Sequence, residues 1–178
     1  ENDNNTDGVL HVFAPMARAM KQNSYVVCFE GWSALPQFSQ AWEAAGLRIV
    51  GQFVWKKEYS SRKGFADYRH ESAYLLAKGR PDKPAHPLPS VLDWVYSGNR
   101  HHPTEKAVEI LTPLIRCFSR PGDLICDPFS GSGSTSVAAA LTGRRYLGMD
   151  VDAKHVATAE TRLAGVANYL SNRARRAA

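Results

Sequence analysis

The chain is poor in cysteine and methionine, three of each in 178 residues. No Cys/His group has the spacing of a zinc site, so a resident metal is not expected. Cys28, Cys117 and Cys126 are odd in number and all sit in apolar runs, so they are expected to be buried and reduced, as in a cytoplasmic compartment. No apolar run approaches the roughly 20 residues of a membrane span. A secretory leader, an internal repeat and a low-complexity tract are likewise not visible.

What is present is an ordinary globular composition, 44% hydrophobic and 22% charged, long enough for one domain with a real core. Lys plus Arg total 22 against 17 for Asp plus Glu, a formal net charge of +5 that suits a polyanionic partner.

Apolar periodicity divides the chain. A helix is expected from a cap at Thr6 or Asp7 to Met20. A buried strand follows over 24–30, then a helix over 33–45 closed by Gly46. A strand over 47–56, a basic loop over 57–69 and a strand over 71–78 come next. The stretch 79–103 carries Pro81, Pro84, Pro87, Pro89 and Pro103 and little periodicity. A compact domain rarely keeps so long a loop without a use for it. The pattern then reads helix 104–118, strand 123–127, helix 133–141, strand 145–150 and helix 153–173. Strands alternating with helices imply βα units and a parallel sheet.

One segment carries specific chemistry: LICDPFSGSGSTSVAAALTGRRYLGMDVD. A strand ends in Asp127, a turn with Gly131 and Gly133 follows, and a helix starts near Ser134. The next strand ends in Asp150. Glycines permit close backbone approach, the helix start offers free N–H groups, and a carboxylate on the neighbouring strand tip can accept from both ribose hydroxyls. Ser136 stands where a dinucleotide fingerprint takes glycine or alanine, which disfavours a pyrophosphate ligand. S-adenosylmethionine has an adenosine and no pyrophosphate.

DPFSGSGST resembles motif I of the class beta DNA amino-methyltransferases. HPTEKAVEIL resembles their motif X, with Ala107 at a usual proline. GRRYLGMDVDAKHVATAETRL resembles their motif II, with Asp150 where glutamate is commoner, and YRHESAYLLAKGRP resembles the motif VIII region. The resemblance implies an α/β, Rossmann-like methyltransferase fold with a mostly parallel twisted sheet and helices on both faces. It implies a permuted order, with the catalytic half before the cofactor half. On this reading 1–178 is a single domain: 1–78 the remainder of the catalytic half, 79–103 a short target-recognition loop and 104–178 the cofactor-binding half.

The resemblance further implies S-adenosylmethionine as cofactor, held by Asp127, Phe129, Gly131, Gly133, Ser134, Thr135 and Asp150, with His102, Thr104 and Lys106 from the motif X-like segment. Lys106 reads equally as a solvated helix residue. The partner expected is double-stranded DNA, contacted through Lys56, Lys57, Arg62, Lys63 and Arg69, although a solvated loop fits the same pattern. Tyr68, His70, Glu71 and Trp32 could border a base pocket or simply pack. The catalytic D-P-P-Y-like motif does not occur in the sequence and is expected upstream of Glu1, so catalytic residues stay unassigned. The activity implied is methyl transfer to the exocyclic amino group of a flipped base in DNA, adenine N6 before cytosine N4. A nucleic-acid-binding subunit that has lost catalysis remains open, as does a homodimer. A prokaryotic, phage or plasmid protein of the cytoplasm is implied, without membrane or metal.

Overall fold

The computed structural model describes residues 7–60, 62–98 and 105–177. The chain divides into two compact units, Glu1–Trp94 and Val95–Ala178. The boundary falls inside the stretch read from sequence as a recognition loop.

The first unit opens with two short helices, α1 (Asp7–Leu10) and α2 (Phe13–Ala19), where a single helix was expected. Pro15 explains the break. It has no N–H to donate to the carbonyl of His11, and its ring crowds that carbonyl. The helix therefore restarts after His11, leaving Pro15 in the first turn of α2, where proline is tolerated. Strand β1 (Ser24–Phe29) leads to α3 (Leu35–Ala44), which carries Pro36 in its own first turn and is followed after Ala45 by Gly46 at φ 75°. Strand β2 (Leu47–Lys56) has the expected limits. Two short strands, β3 (Arg62–Lys63) and β4 (Asp67–Tyr68), pair as a hairpin before the long β5 (His70–Lys78). A three-residue strand, β6 (Val91–Asp93), lies in the proline-rich stretch.

The sheet order is β1-β5-β2-β6. Three of its four strands, β1, β2 and β6, run the same way, as expected of a mostly parallel sheet, and β5 alone is reversed. Strand β5 runs antiparallel to both β1 and β2, and only the β2–β6 pairing is parallel. The reason lies in the connection: β2 reaches β5 through the β3–β4 hairpin, not through a crossover helix, and a direct return produces antiparallel pairing. Strand β6 was not legible because three residues between prolines carry no period.

Phe13 and Ala17 from α2, Phe38 and Trp42 from α3, and Leu47, Tyr74 and Leu76 from the sheet form one buried cluster. Phe13 meets Phe38 and Trp42 edge-on at 5.7 and 6.0 Å. Aromatic rings favour that geometry over face-to-face stacking because a ring's positive edge meets its neighbour's negative face.

The second unit consists of α4 (Val108–Phe118), β7 (Leu124–Asp127), α5 (Ser134–Leu141), β8 (Arg145–Gly148) and α6 (Ala153–Ala177). Helix α4 begins later than periodicity suggested, because Ala107 is extended at φ −61° and ψ 142°. It buries Ile110, Leu111, Leu114 and Ile115. Strands β7 and β8 are parallel, with Asp127 opposite Gly148, and α5 links them. Ala138 and Ala139 on α5 are fully buried, which suits close helix packing.

Leu76 is fully buried in the first unit's core. Leu76→Ala should cost about 2–5 kcal/mol through lost burial and an incompletely refilled cavity. Urea unfolding should show the midpoint falling with the slope unchanged; an unaltered midpoint contradicts the core assignment.

Candidate cofactor site

The end of β7 and the end of β8 are joined by backbone before any side chain acts. Met149 N–H donates to the Asp127 carbonyl at 2.9 Å, and Ser130 N–H donates to the Met149 carbonyl at 2.8 Å. The Asp127 carboxylate turns back to accept from Phe129 N–H at 3.0 Å. The chain then makes a tight turn in which Gly131 and Gly133 both have left-handed φ, 50° and 81°. Gly133 is required twice over, since a Cβ there would lie 2.6 Å from the Cβ of Ala159 on α6. Helix α5 starts at the next residue.

Asp150 follows β8 and ties the arrangement together. Its Oδ2 accepts from Gly131 N–H at 2.8 Å. Its Oδ1 accepts from Asp152 N–H at 2.9 Å and lies 3.3 Å from His155 Nδ1. Partial burial pushes this carboxyl up, but the N–H groups of Asp152 and Gly131 and the His155 ring outweigh it and hold the group below the ordinary aspartate value. The carboxylate is thus charged at neutral pH and its direction is fixed. Oδ2 carries one bond from the protein and keeps room for a second donor. Oδ1 can take a further donor only where His155 yields. As it stands, Asp150 therefore has room for one further donor, where two ribose hydroxyls were expected of it.

The other expected contacts divide. Phe129 is half-exposed beside the turn. Thr135 is half-buried at the start of α5. Ser134 does not face outward: it is buried and its Oγ accepts from Arg162 Nη1 at 3.2 Å. The hydroxyl expected to meet the cofactor thus accepts from within the protein and keeps its own proton to donate. Lys106 lines a cavity of about 250 Å³ together with Tyr96, Ser97, Glu105 and Arg162. His102 and Thr104 lie outside the described residues. Glu105, Ser132, His155 and Arg162 were missed in the sequence. Glu105 sits within the HPTEK run, but nothing in its spacing announces a buried carboxylate. Arg162 lies on a long polar helix with no local signal.

Among the DNA candidates, Lys56 and Arg69 are exposed, each beside a carboxylate: Glu58 at 3.4 Å and Asp67 at 2.8 Å. Arg62 and Lys63 form β3. Lys57 departs from the expectation. Its side chain is only 5% exposed, pairs with Glu71 and lies 4.8 Å from the Trp94 ring centroid. An ammonium so enclosed is not presented to a phosphate, so Lys57 is structural. Glu71 is taken up by the same pair, and Trp32 stacks on Tyr68 at 6.1 Å. Cys126 is exposed, contrary to the burial expected for all three cysteines, while Cys28 and Cys117 are partly buried. Among the described residues no His/Cys/Asp/Glu group could hold a metal ion, and no helix is long and apolar enough to cross a membrane.

A strand, a glycine turn, a helix and an acid on the adjacent strand tip define a nucleotide-binding βαβ unit of methyltransferase type. The DNA methylase family model matches residues 5–161, and the chain belongs to that family. It is 50% identical over 151 residues to the YubD protein of Escherichia coli (strain K12), covering 85% of this chain and 66% of YubD. It is 25% identical over 177 residues to the type II methyltransferase M2.MboI of Moraxella bovis, covering 96% of this chain and 63% of that protein. The chain therefore spans 66% and 63% of the lengths of these relatives. The fold matches the crystal structure of the M1.HpyAVI complex with S-adenosylmethionine at a TM-score of 0.76 and 22% identity, over 89% of this chain and 83% of that one.

Two predictions test the site's electrostatics. The folded pKa of Asp150 lies below its unfolded value of about 4, so its stabilisation is complete above that value and is lost as pH falls through the folded one. The stability gap between wild type and Asp150→Asn, from urea midpoints, should be constant above about pH 5 and shrink below about pH 4. A gap that persists unchanged to pH 2 contradicts the account. Lys57→Met leaves Glu71 without its partner, and Glu71 is partly exposed, so the loss should be about 1–3 kcal/mol, toward the low side of buried-pair values. The salt dependence of DNA binding should not move, and a shallower salt slope would restore Lys57 to the interface.

Proposed function

We propose that the protein moves a methyl group from S-adenosylmethionine to the exocyclic amino group of a base in double-stranded DNA, adenine N6. The observation that carries the reading is the charged Asp150 carboxylate, buried enough to be directional, with Oδ2 held beside a glycine turn at a helix start. The donor set fits adenosine: one carboxylate for the ribose and a turn too tight to leave a side chain in the way. When bound, S-adenosylmethionine supplies an electrophilic methyl on a positively charged sulfur.

The residues of this chain bind and orient. Asp150 fixes the ribose. The Gly131–Gly133 turn lets adenosine approach the backbone. Phe129 offers an exposed ring beside it, and Lys106 offers a cation to the cofactor carboxylate from the neighbouring cavity. Orientation matters because an exocyclic base amine is a poor nucleophile whose lone pair is delocalised into the ring, so alignment supplies much of the acceleration. A base inside a duplex is out of reach, and extrusion is expected. Lys56, Arg62, Lys63 and Arg69 are proposed as phosphate contacts, which position the duplex without reading it. The segment 79–103 is proposed to contribute to target recognition. No residue is assigned as acceptor for the amino proton.

Full-length protein incubated with duplex DNA and methyl-labelled S-adenosylmethionine should place label in N6-methyladenine on nucleoside analysis. Label in N4-methylcytosine replaces the base assignment, label in RNA alone refutes the substrate, and cofactor binding without transfer supports a catalytically inactive subunit. Asp150→Ala should weaken cofactor binding at least tenfold, given about 1.5–3 kcal/mol for a hydrogen bond to a charged acceptor.

A further inference from the structure

Behind the glycine turn, on the side turned toward α6, lies a set of contacts that no nucleotide-binding pattern in the sequence required. Ala159, against which Gly133 is packed, is followed one helical turn later on the same face by Arg162. Arg162 Nη1 donates to the Ser132 carbonyl at 2.8 Å, to Ser132 Oγ at 2.9 Å and to Ser134 Oγ at 3.2 Å. Glu105 Oε2 lies 3.8 Å from the same nitrogen and accepts from Ser132 Oγ at 3.3 Å. The Glu105 side chain is 5% exposed and that of Arg162 17%. Ser132 and Ser134 are buried.

Three consequences follow from charge and geometry. The Ser132 carbonyl belongs to a turn and has no helix or strand to satisfy it, so Arg162 supplies the donor that such a buried group needs. One guanidinium nitrogen reaches both sides of Gly133, at Ser132 and Ser134, and so grips the residue whose left-handed backbone shapes the turn. A partly buried cation unbalanced at this place would also repel a cofactor that carries positive charge on sulfur, and Glu105 supplies the opposite charge. The same Glu105 and Arg162 line the cavity beside Lys106.

We propose that Arg162 and Glu105 form a charge-balanced clamp on the cofactor turn: Arg162 is a positioning residue for Gly131–Gly133, and Glu105 cancels its charge so that the sulfonium cofactor is not disfavoured against its sulfur-neutral, demethylated product. The second half of this proposal rests on the cofactor reading above; the first half does not.

The test has one arm without cofactor and one with it. In cofactor-free protein, amide exchange at Gly131 and Gly133 reports the turn directly. Arg162→Gln should accelerate it at least tenfold, and Arg162→Lys, which keeps a cationic donor, should recover part of the protection. Unchanged exchange in Arg162→Gln overturns the clamp. Should that variant fail to fold, Arg162→Lys and Glu105→Gln carry the decision. In the second arm, calorimetry compares S-adenosylmethionine with S-adenosylhomocysteine. Glu105→Gln keeps an acceptor for Ser132 and removes only charge, so it should lower the melting temperature by a few degrees at most, through the charge left on Arg162, while the affinity ratio shifts roughly three- to tenfold against S-adenosylmethionine. Arg162→Gln should weaken both compounds yet shift the ratio the opposite way, and the double variant should restore it. A purely structural role moves both affinities together, and a ratio unchanged in both single variants overturns the charge-balancing half. Wild-type protein that binds neither compound refutes the cofactor reading and with it that half, while the exchange arm still decides the clamp.

Discussion

The structure of the second unit depends on one hydrogen bond, from the amide of Gly131 to the carboxylate of Asp150. It joins the loop after one parallel strand to the tip of the next, and its donor is a residue whose φ of 50° favours glycine. The bond acts in both directions. The turn keeps its shape because a charged acceptor holds its amide. The carboxylate keeps its charge and its direction because amides hold it. A ligand-facing carboxylate that needs no rearrangement on binding loses little to ordering, which is how preorganisation improves affinity.

Small residues make that geometry affordable to the fold. Gly133 lets Ala159 close on the turn, and Ala138 and Ala139 let α5 sit tightly in its surroundings. Around this frame the polar groups are spent inward. The hydroxyl of Ser134, expected from sequence to meet the cofactor, and that of Ser132 both accept from Arg162. The side of the turn that meets a ligand therefore relies on backbone, Asp150 and Phe129 more than on hydroxyls. In the first unit a different economy holds. An aromatic and aliphatic cluster carries the core, and a buried Lys57 pairs with the partly exposed Glu71 beside the Trp94 ring.

Much of this was legible because local rules and tertiary packing agree. The limits of β2 follow from its apolar run between Gly46 and the basic loop. The turn at Gly131–Gly133 and the acid at Asp150 were legible because only a few residue types suit those positions. Readings failed where a long-range partner decides. The role of Lys57 turns on Glu71 and Trp94, far along the chain, and a basic loop looks the same in sequence whether its lysines point outward or inward. Arg162 and Glu105 are distant in sequence, and each is unremarkable alone. The break before α2 was local and could have been found: Pro15 forbids a bond to His11. The antiparallel entry of β5 was also accessible, because no helical period separates it from β2.

The account's central claim is that the turn and Asp150 together receive an adenosine whose ribose is held by one carboxylate oxygen. A crystal structure of the full-length protein with S-adenosylhomocysteine tests it most directly. The account predicts a ribose hydroxyl within hydrogen-bonding distance of Asp150 Oδ2, with the adenosine against the Gly131–Gly133 backbone. A ligand bound elsewhere, or an Asp150 carboxylate turned away from it, contradicts the claim.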